Sequence, residues 1–127
     1  MTQSTYEDNH LLGIAGEGFA LGVYESAGYT LIDSRVRTRC GEIDLILKDE
    51  DGTIVFVEVK SRRGRSFGGA EAVTAKKLAT MRRCAGQWLE EQPYSTYSKV
   101  RFDVAEVIFT SEDVQITLYE DVDHGAC

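Results

Sequence analysis

The sequence predicts one α/β domain: a mixed sheet of about five strands flanked by helices, in the order α-β-β-β-α-β-β. The chain has 127 residues, the usual size of a single globular domain. Apolar residues make up 43% and charged residues 28%, which is enough apolar material for a hydrophobic core. Two segments repeat apolar residues at helical spacing, and five are short apolar or alternating runs typical of strands. We expect a folded core over about residues 11–120, between flexible ends.

Two amphipathic helices are predicted. The first covers about residues 11–27 and is followed by Gly28, which fits a helix stop. Its predicted apolar stripe consists of Leu12, Ala15, Phe19, Ala20, Val23 and Ala27. The second covers about residues 74–91, with Thr74 as its N-cap and Pro93 just beyond its end. Its stripe consists of Leu78, Met81, Ala85, Trp88 and Leu89.

The predicted strands cover residues 29–39, 42–48, 53–60, 100–109 and 114–119. The second and third form a hairpin, because the loop Glu50-Asp51-Gly52 offers a glycine at the left-handed position that three-residue loops require. In the resulting register Asp44 faces Glu58, and Glu42 faces Lys60.

The two faces of this hairpin differ in chemistry. Odd positions are all apolar and are predicted to be buried: Ile43, Leu45, Leu47, Val55, Val57 and Val59. The even face is apolar near the turn but carries Glu42, Asp44, Glu58 and Lys60 at its far end. Facing carboxylates repel, so Asp44 and Glu58 need a nearby cation or a raised pKa. A bound divalent metal such as Mg²⁺ would meet that need, and solvated strand carboxylates are the simpler alternative.

Asp44 followed by Glu58-Val59-Lys60 resembles the PD-(D/E)-x-K signature of restriction-endonuclease-like nucleases, with Ile43 in place of the proline. More closely, the chain resembles the YraN-type family of small bacterial proteins, which are regarded as endonucleases. Over about residues 13–108 the resemblance is carried by Gly16-Glu17, Gly28-Tyr29, Gly41 to Ile46, Val55 to Lys60, Ala72-Val73 with Lys76, and Arg101 to Val104.

The resemblance implies a restriction-endonuclease-like fold and hydrolysis of phosphodiester bonds with Mg²⁺ or Mn²⁺ as cofactor. Asp44 and Glu58 would be metal ligands, with the backbone carbonyl of Val59 nearby and Glu17 as an accessory ligand. Lys60 would orient or deprotonate the attacking water and stabilise charge on the phosphate. Without the resemblance, Glu17 is better interpreted as a solvated helix residue.

Glu42, Arg101 and Asp103 are predicted to form ion pairs that support the structure. The register favours Glu42 as the counter-ion of Lys60, over a role in supporting the metal ligands. Arg101 and Asp103 lie two residues apart on one strand face and are predicted to form a structural ion pair.

The chain is acidic overall, but its basic residues are concentrated in one segment. The net charge of −7 and a pI of about 4.8 argue against a nucleic-acid-binding protein. Residues 60–83, however, hold eight basic residues and one acidic residue, beginning at Lys60. The predicted nucleic-acid contacts within this basic block are Arg62, Arg63, Arg65, Lys76 and Lys77. The alternative is a solvated charged face.

Several classes of protein are excluded. The longest apolar runs are too short for a transmembrane helix, and the N-terminus has no signal-peptide pattern. Three widely spaced cysteines and two histidines fit neither a zinc site nor a disulfide framework. We therefore expect a cytoplasmic protein.

The sequence thus favours a metal-dependent nuclease that acts on nucleic acid, with structure-selective action on DNA as the expected form. The alternative is a non-catalytic module that retains the fold and binds nucleic acid or a protein. A purely structural protein is the third candidate. A homodimer would suit this type of fold, although no residue identifies an interface.

Overall fold

The computed structural model describes residues 5–64, 74–92 and 99–123. The described chain forms α1 (Thr5–Ser26), β1 (Thr30–Thr38), β2 (Gly41–Lys48), β3 (Ile54–Arg63), α2 (Ala75–Glu90), β4 (Val100–Phe109) and β5 (Val114–Tyr119). The predicted fold class and element order are confirmed. Helix α1 begins six residues earlier than predicted. Its first turns are polar and carry no apolar repeat, so the sequence pattern does not reveal them. Neither helix in the described part of the chain is long and apolar enough to cross a bilayer.

The five strands form one sheet in the order β1-β2-β3-β4-β5. All neighbours are antiparallel except β3 and β4, which run parallel because the connection between them includes α2. Each face of the sheet is covered by one helix. On one face α1 packs on Leu45, Leu47, Val55 and Val57, and on the other α2 packs on Ile46, Ile54 and Phe56.

The predicted hairpin between β2 and β3 is confirmed. The N–H of Asp49 donates to the carbonyl of Thr53 at 3.0 Å, and Gly52 has φ +95°, in the left-handed region. The register is the predicted one from Lys48 opposite Ile54 to Leu45 opposite Val57.

The predicted pairing beyond Leu45 is not observed. The pairs between β2 and β3 end at Leu45 and Val57, while β2 continues against β1 and β3 continues against β4. Asp44 therefore does not face Glu58 in a regular strand pair, and Glu42 does not face Lys60. The face assignment is also wrong at Ile43, which packs in the α2 cluster with Ile46 rather than with Leu45.

Strand β1 is irregular opposite the point where Ile43 turns to the α2 side of the sheet. The pairs Ser34–Leu45 and Val36–Ile43 place Arg35 opposite Asp44. Arg35 has φ 48°, an uncommon conformation for a non-glycine residue, so the strand is distorted next to Asp44.

Of the predicted α1 stripe, only Ala20 is buried. Gly16, Ala20 and Tyr24 point into the core, whereas Phe19 and Val23 are 46% and 38% exposed. Gly16 permits a close approach to β3, because a Cβ on it would lie 1.8 Å from the Oγ of Ser61. The helix therefore approaches the sheet through Gly16 and Ala20, and a pattern of large apolar side chains does not reveal Gly16.

For α2 the prediction holds. Thr74 is the N-cap, and its hydroxyl accepts a hydrogen bond from the N–H of Lys77 at 3.0 Å. The buried side chains are Leu78, Met81, Cys84, Ala85 and Trp88. Of these, Cys84 was not predicted, and Leu89 is only partly buried.

A buried polar cluster ties α1 to the sheet. Asp103 is fully buried and accepts hydrogen bonds from Nε and Nη2 of Arg101 at 2.9 and 2.8 Å. It also accepts one from the Tyr24 hydroxyl at 2.7 Å and one from the N–H of Asp121 at 3.0 Å. Burial and Asp103 both raise the pKa of Tyr24, so its hydroxyl remains a donor. The predicted ion pair of Arg101 and Asp103 is confirmed.

Replacing Asp103 with alanine should lower the free energy of unfolding by about 3–5 kcal/mol. The Tyr24 hydroxyl would be left buried without its acceptor, and the partly buried Arg101 guanidinium would keep only the hydroxyl of Tyr29. Urea unfolding at pH 7 measures the change. Glu112→Ala removes an exposed carboxylate and should have almost no effect. An equally small effect of Asp103→Ala would contradict a structural role for the cluster.

Candidate active site

The candidate site lies where β2 and β3 cease to pair. One residue beyond the last pair, the Asp44 carboxylate accepts a hydrogen bond from the N–H of Val59 at 2.7 Å. This side chain thereby supplies the acceptor for an N–H of β3 that has no partner on β2. Asp44 is thus held at the start of the opening between the two central strands.

Asp44 lies in an environment that disfavours its charge. Burial is the main cause that raises its pKa from 3.8 to about 7, and the neighbouring charge of Glu58 is the second. The hydrogen bond from Val59 acts in the opposite direction, and the charges of Glu17 and Glu42 add to the rise. The site therefore favours either a proton on Asp44 or a cation beside it.

Glu58 is neutralised by two lysines. Its side chain is only 12% exposed, and one carboxylate oxygen, Oε2, lies 3.1 Å from Nζ of Lys77 and 3.6 Å from Nζ of Lys60. Lys60 is two residues further along β3, on the same face of the sheet. Lys77 comes from the first turn of α2, so strand and helix together place positive charge on this carboxylate.

Glu17 and Glu42 are paired with arginines of β1. Nε of Arg35 donates to a carboxylate oxygen of Glu17 at 2.9 Å, and Nε of Arg37 lies 3.6 Å from that of Glu42. All four side chains line an open cleft between α1 and β1. The prediction that Glu42 is the counter-ion of Lys60 is wrong, because Lys60 is paired with Glu58 on its own strand.

The donors at this site suit a hard cation with few protein ligands. Two carboxylates, Asp44 and Glu58, and the carbonyl of Val59 offer oxygen atoms, and Mg²⁺ commonly takes one or two carboxylates and keeps several waters. Among the described residues, no group of three or more acidic, histidine or cysteine side chains lies close enough to hold a metal ion. The structure thus does not bring Glu17 into one cluster with the other two carboxylates.

The predicted nucleic-acid contacts fall into different environments. Arg63 and Lys76 are exposed, and Lys77 reaches Glu58. Nε of Arg62 lies 3.9 Å from a carboxylate oxygen of Glu106. Arg65 lies outside the described residues. Arg62 follows Lys60 on the same face of β3, so positive charge continues from the candidate site along this strand.

Two charged residues of the site region were not predicted. Glu106 is 1% exposed on β4, directly opposite Lys60 in the parallel pair. A single acid within the apolar run Val104 to Ile108 is a signal from which it could have been found. The pairing of Arg35 with Glu17 has no sequence signal, because the two residues meet through tertiary packing.

Comparisons with known proteins identify relatives over most of the chain. Residues 16–107 match the family described as "Uncharacterised protein family UPF0102", which confirms the family resemblance predicted from the sequence. A UPF0102 protein of Corynebacterium glutamicum is 47% identical over 117 residues, covering 91% of this chain and 93% of the relative. A UPF0102 protein of Ruegeria pomeroyi is 44% identical over 98 residues, covering 76% of this chain and 77% of the relative.

Two solved structures show weaker similarity. The crystal structure of a repair endonuclease from Pyrococcus abyssi aligns with a TM-score of 0.45 and 21% identity. The alignment covers 88% of this chain and 41% of the archaeal chain. The structure of an EndoMS–dsDNA2 complex aligns with a TM-score of 0.30 and 18% identity, over 67% of this chain and 30% of the other.

The raised pKa of Asp44 predicts a stability difference that depends on pH. Between pH 4 and pH 7 the folded protein keeps a proton on Asp44 that the unfolded chain has lost, so this residue destabilises the fold increasingly as the pH rises. In EDTA, Asp44→Asn should therefore be more stable than the wild type at pH 8, by roughly 2–4 kcal/mol. Near pH 4 the difference should vanish.

Urea unfolding of both proteins at several pH values measures this difference. Asparagine can still accept the hydrogen bond from Val59, so the substitution tests charge rather than geometry. Asp33→Asn alters an exposed carboxylate and serves as the control. A gap between Asp44→Asn and wild type that stays constant from pH 4 to pH 8 would show that the pKa of Asp44 is not raised.

Proposed function

We propose that this chain, which belongs to the protein family UPF0102, is a nuclease that hydrolyses phosphodiester bonds with the help of a divalent cation. One observation carries the proposal: the Asp44 carboxylate accepts a hydrogen bond from the N–H of Val59, which lies between Glu58 and Lys60 on β3, and Lys60 lies 3.6 Å from Glu58. The electrostatic coupling of the two carboxylates, which helps to raise the pKa of Asp44, supports their proximity. Residues so perturbed are frequent at functional sites.

The carboxylates of Asp44 and Glu58 and the carbonyl of Val59 would hold Mg²⁺ or Mn²⁺. When bound, such a cation lowers the pKa of a coordinated water and stabilises charge on the phosphate. Asp44 is held by the N–H of Val59, so its orientation is set by the backbone of the neighbouring strand. That arrangement favours a preformed site over one that assembles on binding.

Lys60 would orient or deprotonate the attacking water and stabilise charge on the phosphate. Its side chain is 36% exposed, so the ammonium group can contact both the buried Glu58 and a substrate in solvent. A lysine ammonium is a compact charge with three donors, suited to holding a water and a phosphate oxygen at once. Glu17 would act as an accessory carboxylate, through the charge that already affects Asp44.

Nucleic acid is the proposed substrate, and DNA of particular shape is the favoured form. Positive charge from Lys60, Arg62 and Arg63 continues along β3, and Lys76 is exposed at the start of α2. Such residues bind the phosphate backbone, a type of contact that carries no base information. Selection would then depend on the structure of the nucleic acid rather than on its sequence.

A non-catalytic binding module is the second candidate. The observation that favours it is that Glu17 is paired with Arg35 and that no cluster of three potential ligands occurs within the described ranges. Such a module would keep the basic surface and the fold while holding a cation weakly or not at all.

Cleavage assays distinguish the two candidates. Labelled duplex, flapped, branched and single-stranded DNA, and RNA, are incubated with Mg²⁺, Mn²⁺ or EDTA. Wild-type protein should cleave at least one substrate only with a divalent cation, and Asp44→Asn and Lys60→Met should each lower the rate at least about 100-fold. Lys48→Met, an exposed lysine at the turn end of the same hairpin, should leave the rate unchanged.

Two results would count against the nuclease. Equal cleavage by wild type, Asp44→Asn and Lys60→Met would indicate a contaminating enzyme. Binding without cleavage under every cation would favour the binding module.

The salt dependence of binding tests the basic surface. Arg62→Gln combined with Arg63→Gln should weaken binding to duplex DNA and reduce the slope of log K against log salt by about one to two, because each lost phosphate contact contributes about 0.9. Lys48→Gln with Lys99→Gln removes the same charge from the exposed hairpin-turn end of the sheet and is the control. Equal slopes for the two double variants would remove Arg62 and Arg63 from the interface.

A further inference from the structure

Lys77 is the closer of the two lysines to Glu58. Its Nζ lies 3.1 Å from Oε2 of Glu58, and that of Lys60 lies 3.6 Å from the same oxygen. The backbone of Lys77 is fixed at the start of α2, because its N–H donates to the hydroxyl of the N-cap Thr74 at 3.0 Å. The helix cap therefore fixes the backbone position from which the Lys77 side chain contacts Glu58.

The position of Lys77 between core and solvent allows two contacts. The next residue, Leu78, is buried against the sheet and anchors this turn of the helix. The Lys77 side chain is 36% exposed, so its ammonium group can reach solvent as well as Glu58. A four-carbon stem lets the charge move by several ångströms at low cost in strain.

A divalent cation bound to Glu58 would weaken the contact between Glu58 and Lys77. Its carboxylate is 12% exposed, and a cation bound to it would lie close to two ammonium groups. Like charges at such distances repel, and the repulsion is stronger in a partly buried site than in water.

We propose that Lys77 is a second lysine of the active site, which holds Glu58 in the cation-free protein and turns to a phosphate of the nucleic acid when a divalent cation takes Glu58. This inference rests on the proposed function, because it assigns Glu58 to the cation. Cation binding and phosphate binding then strengthen each other, and by thermodynamic linkage the effect is reciprocal. Lys77 is a positioning residue in the first state and a phosphate ligand in the second.

Calorimetric titration with Mn²⁺ in the absence of nucleic acid tests the first state. Lys77→Gln should bind Mn²⁺ about two- to fivefold more tightly than wild type, because the competing ammonium group is gone. Lys76→Gln removes the same charge from the adjacent, exposed position and is the matched control for general electrostatics. Equal affinities of Lys77→Gln and Lys76→Gln would overturn the inference.

Binding of a labelled DNA duplex, followed by fluorescence anisotropy with Ca²⁺ or EDTA, tests the second state. In the wild type Ca²⁺ should strengthen binding, and in Lys77→Gln that factor should fall at least about threefold. Lys76→Gln should weaken binding equally with Ca²⁺ and with EDTA, leaving the factor unchanged. A factor in Lys77→Gln equal to that of the wild type would contradict the movement of Lys77 to phosphate.

Two additional variants separate the ways in which the inference can fail. If Asp44→Asn and the wild type bind Mn²⁺ identically, the cation site itself is wrong and the proposed function fails with the inference. If Mn²⁺ binding depends on Asp44 but not on Lys77, only the inference fails.

Lys77→Arg keeps the charge and should preserve the wild-type Ca²⁺ factor within about twofold, which guards against a Lys77→Gln variant that folds poorly. A loss of that factor in a folded Lys77→Arg variant would count against the inference.

Discussion

The end of the β2–β3 pairing at Leu45 and Val57 is the constraint on which the candidate site depends. In a fully paired sheet the side chains of Asp44 and Glu58 would project from one face, and the N–H of Val59 would have a strand partner. Here the Asp44 carboxylate accepts that hydrogen bond instead, at 2.7 Å. A polar opening is thereby made next to the buried segments Leu45–Leu47 of β2 and Ile54–Val57 of β3, and burial raises the pKa of Asp44.

The three carboxylates around this opening are neutralised in different ways. Asp44 has a pKa raised to about 7, Glu58 lies beside two lysines, and Glu17 accepts a hydrogen bond from Arg35. The cations that pair with Glu58 come from β3 and α2, and the cation that pairs with Glu17 comes from β1. Holding Asp44 and Glu58 in a partly buried region costs less when each charge has its own partner, and a divalent cation would have to compete with those partners.

The packing of α1 against the sheet fixes the position of Glu17. Gly16 lets the helix approach Ser61 of β3 closely, and the hydroxyl of Tyr24 donates to the buried Asp103 on β4. These two contacts lie on either side of Ala20, which is itself fully buried. The helix is thus fixed between Gly16 and Tyr24, and Glu17, next to Gly16, is held beside Arg35 of β1.

The sequence by itself determined the order of the elements, the hairpin turn at Gly52, the N-cap Thr74 and the identity of Asp44, Glu58 and Lys60 as candidates. These features depend on turn chemistry, on periodicity and on a motif that lies within one hairpin. Only the tertiary structure decided the buried face of α1, the end of the β2–β3 pairing, and the pairing of Glu42 with Arg37 and Glu58 with Lys77. Those contacts join residues from different layers, and their distances depend on how closely helix and sheet approach, which no local pattern of residues specifies.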